Sequence, residues 1–392
     1  MHPVADGADH VPALYARWAR VEAHGSSPVY ERLALAVAGD GAAQALLARL
    51  EPARRQPNLL FGAMRSLGAP VDDCAAALSW LSAHGHDVLD VMRVRRTQTN
   101  EVARCAVLLP ALALLPEPLA VLEVGASAGL CLLYDRWRYR YAGVGGDHEV
   151  GDPASPVTLE CAVSGAVPLP ERVPTIAWRL GLDLHPLDPA DPDARAWLRA
   201  LVWPEHTDRA TRLSAALDVA ATDPPPVETG ELLRDLPRLL DRAPANTTVV
   251  VTHSATLGHL EAEQRGAFLR VLADAGVHRL GMEGTAVLPG LADQVAGGTA
   301  PAASWCPSTT APWPSPTRTA VTSPGSESGG GSASADPRAG APAPALLHQR
   351  ETEWNGAGSG PGPDGPARLT PSTSVLPTHP TTLAPGRGTL GP

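Results

Sequence analysis

The sequence predicts an α/β protein in three parts: an all-helical N-terminal domain over residues 1–118, a domain of alternating strands and helices over 119–290, and a disordered tail over 291–392. Three observations predict it. Up to about residue 115, apolar residues recur at i, i+3, i+4 and i+7, the period of an amphipathic helix. From Leu119 short apolar runs alternate with helical ones, the signature of an α/β unit. Beyond residue 291 this patterning stops, and 17 of the chain's 41 prolines follow residue 300 among Ser, Thr, Ala and Gly. Such a segment buries too little apolar surface to offset its ordering entropy.

The helical part reads as "ALYARWARVEA", "VYERLALAVAG", "AAQALLARL", "LLFGAMRSLG", "CAAALSWLSAHG" and "EVARCAVLLPALALL". Strands are expected at Ala120–Val124, Ile176–Leu184, Thr247–Thr252 and Val277–Met282, with "PDARAWLRALVW" and "LEAEQRGAFLRVLADAG" among the helices between them. Gly129 to Trp137 reads as a helix following the first strand. Residues 137–165 form an insertion whose ends alternate by two around a Gly, Asp and Pro-rich middle, which predicts a β-hairpin with a long loop. In it Arg136, Arg138 and Arg140 alternate with Trp137, Tyr139 and Tyr141. That pattern suits a strand with one packed aromatic face and one solvated face better than a nucleic-acid surface.

A chain of 392 residues with 44% hydrophobic residues can bury a sizeable core. Its net charge of -10 gives no general pull toward nucleic acid or anionic membrane. All 31 basic residues are arginine. This removes a P-loop lysine, a Schiff-base lysine and a Ser-Lys dyad. The five cysteines, Cys74, Cys105, Cys131, Cys161 and Cys306, form no C-x-x-C pair and mostly lie in apolar runs, which fits a reduced, cytoplasmic setting. No apolar run has the length of a membrane span. The expected partner is a small-molecule ligand.

The stretch "LAVLEVGASAGLCLLYDRW" carries two chemistries. Gly125-Ala126-Ser127-Ala128-Gly129 fits G-x-S-x-G, a strand-to-helix elbow that exposes a serine nucleophile, and the order Ser127, Asp183 or Asp188, His253 matches a serine hydrolase. It also fits a glycine loop at a strand end, where small residues let the backbone approach a ligand. A non-catalytic ligand-binding protein is a third reading. The upstream chain is helical, whereas a hydrolase elbow follows strands already laid down, and Glu123 has no role in such an elbow.

"EVGASAG" resembles the acid-x-Gly-x-Gly-x-Gly loop of methyltransferases with a Rossmann-like fold, with Ser127 in the middle glycine position. The resemblance implies S-adenosylmethionine as cofactor, held by Glu123, Gly125, Ala126, Ser127 and Gly129. It implies further that Asp183, ending "WRLGLDL", meets ribose hydroxyls, that Glu231 in "VETGELLRDLP" faces the adenine side, and that His253 and Ser254 in "TTVVVTHSATL" sit near the transferred group. His253 is then the candidate base. Each residue has a plainer explanation: Asp183 and Asp188 as turn residues, Glu231 as a helix-terminal charge, His253 as a core histidine. The cluster "RRTQTNE", with Arg95, Arg96, Gln98 and Asn100, either caps the next helix or grips an anionic ligand.

Together "SPVYERLALAVAGD", "RRTQTNEVARCAVLLPALA", "LEVGASAGLCLLYDRWRYRY", "GLDLHPLD", "RALVWPEHTDR" and "VVVTHSATLGHL" resemble the bacterial domain-of-unknown-function 2332 family over about residues 12 to 290. The resemblance implies a methyltransferase-like fold behind a helical N-terminal region and assigns no activity. The sequence departs from the family's pattern at Cys131, where asparagine is expected.

Overall fold

The computed structural model describes residues 10–143, 146–163, 167–284 and 287, together with strand segments at 302–305, 346–349 and 371–376. The tail expected from residue 291 lies outside the described residues apart from those three segments, which stand in the sheet between the strands Thr158–Val163 and His278–Gly284.

Six helices open the chain: α1 (His10–Trp18), α2 (Pro28–Gly39), α3 (Gly41–Leu47), α4 (Pro57–Ser66), α5 (Cys74–Val94) and α6 (Arg104–Leu112). Local chemistry sets several of their starts. Ser27, Asp40 and Asp73 each place a side-chain oxygen on a backbone N–H of the first turn, and Pro28 and Pro57 occupy the first turn, where no N–H partner is needed. Tyr15, Trp18, Tyr30 and Phe61 fill the centre of this bundle, with Tyr30 and Phe61 centroids 4.7 Å apart.

Next come β1 (Leu119–Val124), β2 (Arg138–Gly143), β3 (His148–Gly151), β4 (Thr158–Val163), β5 (Ile176–Asp183), α7 (Pro192–Leu201), α8 (Thr207–Thr222), β6 (Val227–Thr229), α9 (Leu232–Leu240), β7 (Thr248–Ser254), α10 (Ala262–Ala275) and β8 (His278–Gly284). Five of these strands form a parallel sheet in the order β6-β5-β1-β7-β8. The four predicted strands all stand in it. β6 has three residues, too few for alternation to be read. β1 is buried at every position because both faces are covered. Leu119 and Val121 pack toward α6, α8 and the β2–β4 insertion, while Leu122 and Val124 pack toward α9 and α10.

The structure differs from the sequence expectation in three places. Gly129 to Trp137 is not a helix but two single 3₁₀ turns, Leu130–Leu132 and Tyr134–Arg136. Residues 130 to 134 are all buried, so this run has no polar face to offer water and sinks into the core instead. The insertion is three-stranded: β2 pairs antiparallel with β3 and parallel with β4, where Leu159 and Cys161 join the core beneath Tyr139 and Tyr141. Arg138 and Arg140 share Glu149 at 2.5 and 3.0 Å on its other face, the packed-strand arrangement.

The boundary at residue 118 also does not follow the packing. α6 packs on the sheet, whereas α7 lies against α4, with Trp197, Ala200 and Trp203 inside the N-terminal helical core. Gly62 on α4 permits this approach, since a Cβ there would meet Leu201 at 2.8 Å. The helices and the sheet are therefore interleaved in sequence.

Candidate functional site

The chain runs β1, β5, β6 toward one edge of the parallel sheet and then β7, β8 toward the other, so the strand order reverses between β1 and β7. Loops leave the C-terminal ends of those two strands in opposite directions and open a crevice. A cavity of about 300 Å³ lies there, against Val124, Gly125 and Ser127 of the glycine loop.

The loop's conformation explains its composition. Gly125 and Gly129 have φ of 75° and 70°, and a Cβ on Gly125 would run into the Thr256 side chain. At Gly129 it would meet Pro225 and Val227. Ser127 itself has φ 51°, and Ala255 across the crevice has φ 51° too. These are the two non-glycine residues with positive φ among the described residues, and both line the cavity. Left-handed backbone at such residues costs about 1–2 kcal/mol each.

Hydrogen bonds hold this geometry. Gly125 N–H donates to the Leu182 carbonyl at 2.8 Å, and Ser127 N–H donates to Asp183 Oδ2 at 2.8 Å. Asp183 Oδ1 accepts from His185 N–H, so the acid ties the end of β5 to the loop after β1. On the other side Asn100 Nδ2 donates to Ser127 Oγ at 2.7 Å and Asn100 Oδ1 accepts from Ala128 N–H at 3.0 Å.

Of the residues expected at the site, the cavity gathers Arg96, Gln98, Gly125, Ser127, Asp183, Glu231 and Ser254. Glu231 doubles as the N-cap of α9, accepting from Leu233 and Arg234 N–H. Ser254 Oγ is buried without a hydrogen-bond partner. Gln98 reaches the His185 carbonyl at 2.7 Å.

The other expected residues stand away from the cavity. Ala126 and Gly129 are packed in the loop's underside, against Gly181 and Val227 respectively. Arg95 pairs with Asp193 and stacks over Trp197, so it holds α7 rather than a ligand. Glu123 faces the α6 side of the sheet; burial, then Cys131, pushes its carboxyl well above the ordinary value despite nearby Arg104, and Oε2 has no hydrogen-bond partner.

His253 requires the clearest correction. Its side chain is fully buried, with Nδ1 at 2.8 Å from Glu283 Oε1 and Nε2 at 3.2 Å from an Arg279 guanidinium nitrogen. A guanidinium only donates, so Nε2 accepts and the ring proton sits on Nδ1, aimed at Glu283. Phe268 covers the ring edge-on. Burial pushes Glu283 up, but the bonds from His253, Leu257 N–H and Thr256 N–H outweigh it and hold the carboxyl below its ordinary value. This pair fixes the turn after β7 and supplies no base to the cavity.

Several cavity residues carried no sequence signal as site residues. His259 follows β7 by one short turn and lies in no periodic pattern; Arg104 is nearly buried on α6, and Leu184, 59% exposed, follows Asp183 at the mouth. His259 is reached by solvent at the cavity, yet desolvation by its neighbours outweighs Glu283 and Asp183 and lowers its imidazole pKa. A neutral imidazole facing a cavity can take up a proton. Ser127 Oγ accepts its hydrogen bond from the Asn100 amide rather than from a histidine.

The fold and the cavity define an α/β protein with a central five-stranded parallel sheet and a crevice at its strand ends. The chain belongs to the domain-of-unknown-function 2332 family, described as uncharacterised proteins conserved in bacteria, whose family model matches residues 13–305. No curated protein and no solved structure matches it. Among the described residues no helix is long and apolar enough to cross a membrane, and no cluster of His, Cys, Asp and Glu is arranged to hold a metal ion.

Proposed function

We propose that the crevice binds S-adenosylmethionine and that the protein transfers its methyl group to a small acceptor. One observation carries the reading. The glycine loop after β1 and the acid ending β5 meet at the strand-order reversal, joined by the Ser127 N–H to Asp183 bond, and both line the same cavity. The order β6-β5-β1-β7-β8 is the third-second-first-fourth-fifth arrangement of doubly wound sheets that bind nucleotide-bearing ligands at this place.

The residues suit such a ligand. Gly125 lets the loop close against Thr256 at the cavity wall, Asp183 keeps acceptor capacity for hydroxyl groups beyond its two backbone bonds, and Leu184 offers an apolar surface at the mouth. The buried Ser254 hydroxyl lacks a protein partner and supplies a polar contact. S-adenosylmethionine would contribute an electrophilic sulfonium methyl; the protein contributes position, exclusion of water, and a neutral imidazole at His259 for the acceptor's proton. Catalysis then rests mainly on alignment, which the hydrogen-bonded loop provides.

Calorimetric titration of the full chain with S-adenosylmethionine and with S-adenosylhomocysteine tests this. Saturable binding lost in Asp183→Ala supports it. Absence of heat and of any melting shift at millimolar ligand rejects it. Binding with no methyl transfer to any acceptor pool would reassign the protein as a non-catalytic binder.

A further inference from the structure

The segment between α5 and α6 forms one wall of the cavity, and the arginines in and around it are treated unequally. Arg93 pairs with Asp90 at 2.6 Å, and Arg95 pairs with Asp193. Arg54, beneath the segment, is held by the main-chain carbonyls of Met92 and Arg95 at 2.9 and 3.0 Å. Arg96 alone of these lines the cavity, and its guanidinium has no hydrogen bond or ion pair among the described residues. Its backbone is nevertheless pinned, because the Arg96 carbonyl accepts from Trp197 Nε1 at 2.9 Å.

Arg96 is exposed at this wall, so water rather than a carboxylate serves its guanidinium. Desolvation and the like charge of Arg54 both disfavour the Arg96 cation, so an arriving anion would relieve a repulsion as well as form a pair. No ion pair joins Arg96 to the cavity's acids: Asp183 is turned to two backbone N–H groups and Glu231 caps α9. A planar guanidinium on a fixed backbone suits two-point contact with an oxyanion.

We propose that Arg96 anchors an oxyanion subsite in this cavity, taking a carboxylate or phosphate group carried by the acceptor. It rests on the reading of the cavity as a binding site and names the class of its second ligand. Of the two arginines that the sequence offers for that role, Arg95 is excluded by its pairing with Asp193.

The test titrates the full-length protein with inorganic phosphate and, separately, with malonate, against sodium chloride at matched ionic strength because surface charge effects are screened by salt. One of the two anions should raise the melting temperature beyond the chloride control, and which one does so distinguishes phosphate from carboxylate chemistry. Arg96→Gln should weaken that anion by about tenfold, the loss of one charged hydrogen-bonded contact, while Arg93→Gln binds it as the parent does. Equal anion binding by Arg96→Gln and parent, or no effect of either anion beyond chloride, overturns the subsite. S-adenosylmethionine is titrated in parallel. Anion binding without S-adenosylmethionine binding would sink the cofactor reading and leave the subsite standing; the reverse would sink the subsite alone.

Discussion

Asn100 and Ser127 are joined across the seam between the N-terminal helices and the sheet, with Asn100 Nδ2 donating to Ser127 Oγ at 2.7 Å. The other end of the same amide accepts the next N–H, that of Ala128, at 3.0 Å. Asn100 is therefore neither a helix cap nor a direct ligand contact. α6 begins at Arg104 with no side-chain cap, and the asparagine instead holds the glycine loop in its left-handed turn.

Replacing Asn100 by alanine should consequently affect stability and binding together. The buried Ala128 N–H would lose its acceptor, at a cost of about 1–3 kcal/mol, and the loop would relax away from the cavity. Denaturant unfolding and ligand titration on the same preparation check this. An unchanged unfolding midpoint would mean that the tether contributes nothing.

Within the loop, Ser127→Gly and Gly125→Val should separate conformation from chemistry. Glycine at 127 relieves a positive φ worth about 1–2 kcal/mol but forfeits the bond from Asn100, so stability changes little and S-adenosylmethionine binding persists. Valine at 125 meets the Thr256 side chain at a φ of 75° and should abolish binding. If Ser127→Gly instead erases an esterase activity shown by the parent, the serine is a nucleophile after all.

The sheet was legible in the sequence because β1, β5, β7 and β8 are apolar runs bounded by turn residues. β6 was not, since three residues carry no period. Among the cavity residues, Gly125, Ser127 and Asp183 were legible because a tight turn at a strand end restricts which residues can stand there. His253 misled for a physical reason: adjacent strand residues face opposite sides, and Ser254, not His253, ends on the cavity. Partners distant in sequence decide the rest, as when Glu283 claims His253 and Asp193 claims Arg95.

Glu101 should prove the most sensitive position outside the cavity. It is buried between Arg212 at 3.0 Å and Arg209 at 2.8 Å, the latter an ion pair rather than an aligned hydrogen bond. Burial raises its pKa, but the two arginines outweigh that and leave it below the ordinary value. Its contribution is thus present above the ordinary carboxyl pKa and is lost as pH falls through the lower, folded value. Glu101→Gln should cost about 1–3 kcal/mol at neutral pH, because the buried charge that pairs with both partly buried arginines is lost. The gap from the parent should shrink as the pH falls through that folded value. A constant gap across that range would show that charge is not responsible.

Glu123 should show the opposite sign. Burial holds its carboxyl well above the ordinary value of 4.5, so near pH 4 and below both folded and unfolded chains carry the proton and no penalty arises. As pH rises past the ordinary value the unfolded chain ionises while the folded one retains its proton, and stability falls until the folded pKa is passed. Glutamine keeps the shape and removes the titration, so Glu123→Gln should match the parent in acid and exceed it progressively toward neutral pH. Urea unfolding across that range measures the divergence, and parallel curves would contradict the buried, protonated acid. The same variant tests the loop resemblance. Glu123 does not line the cavity, so S-adenosylmethionine affinity should survive the substitution. A tenfold loss of affinity without a loss of stability would put the carboxylate back in contact with the ligand.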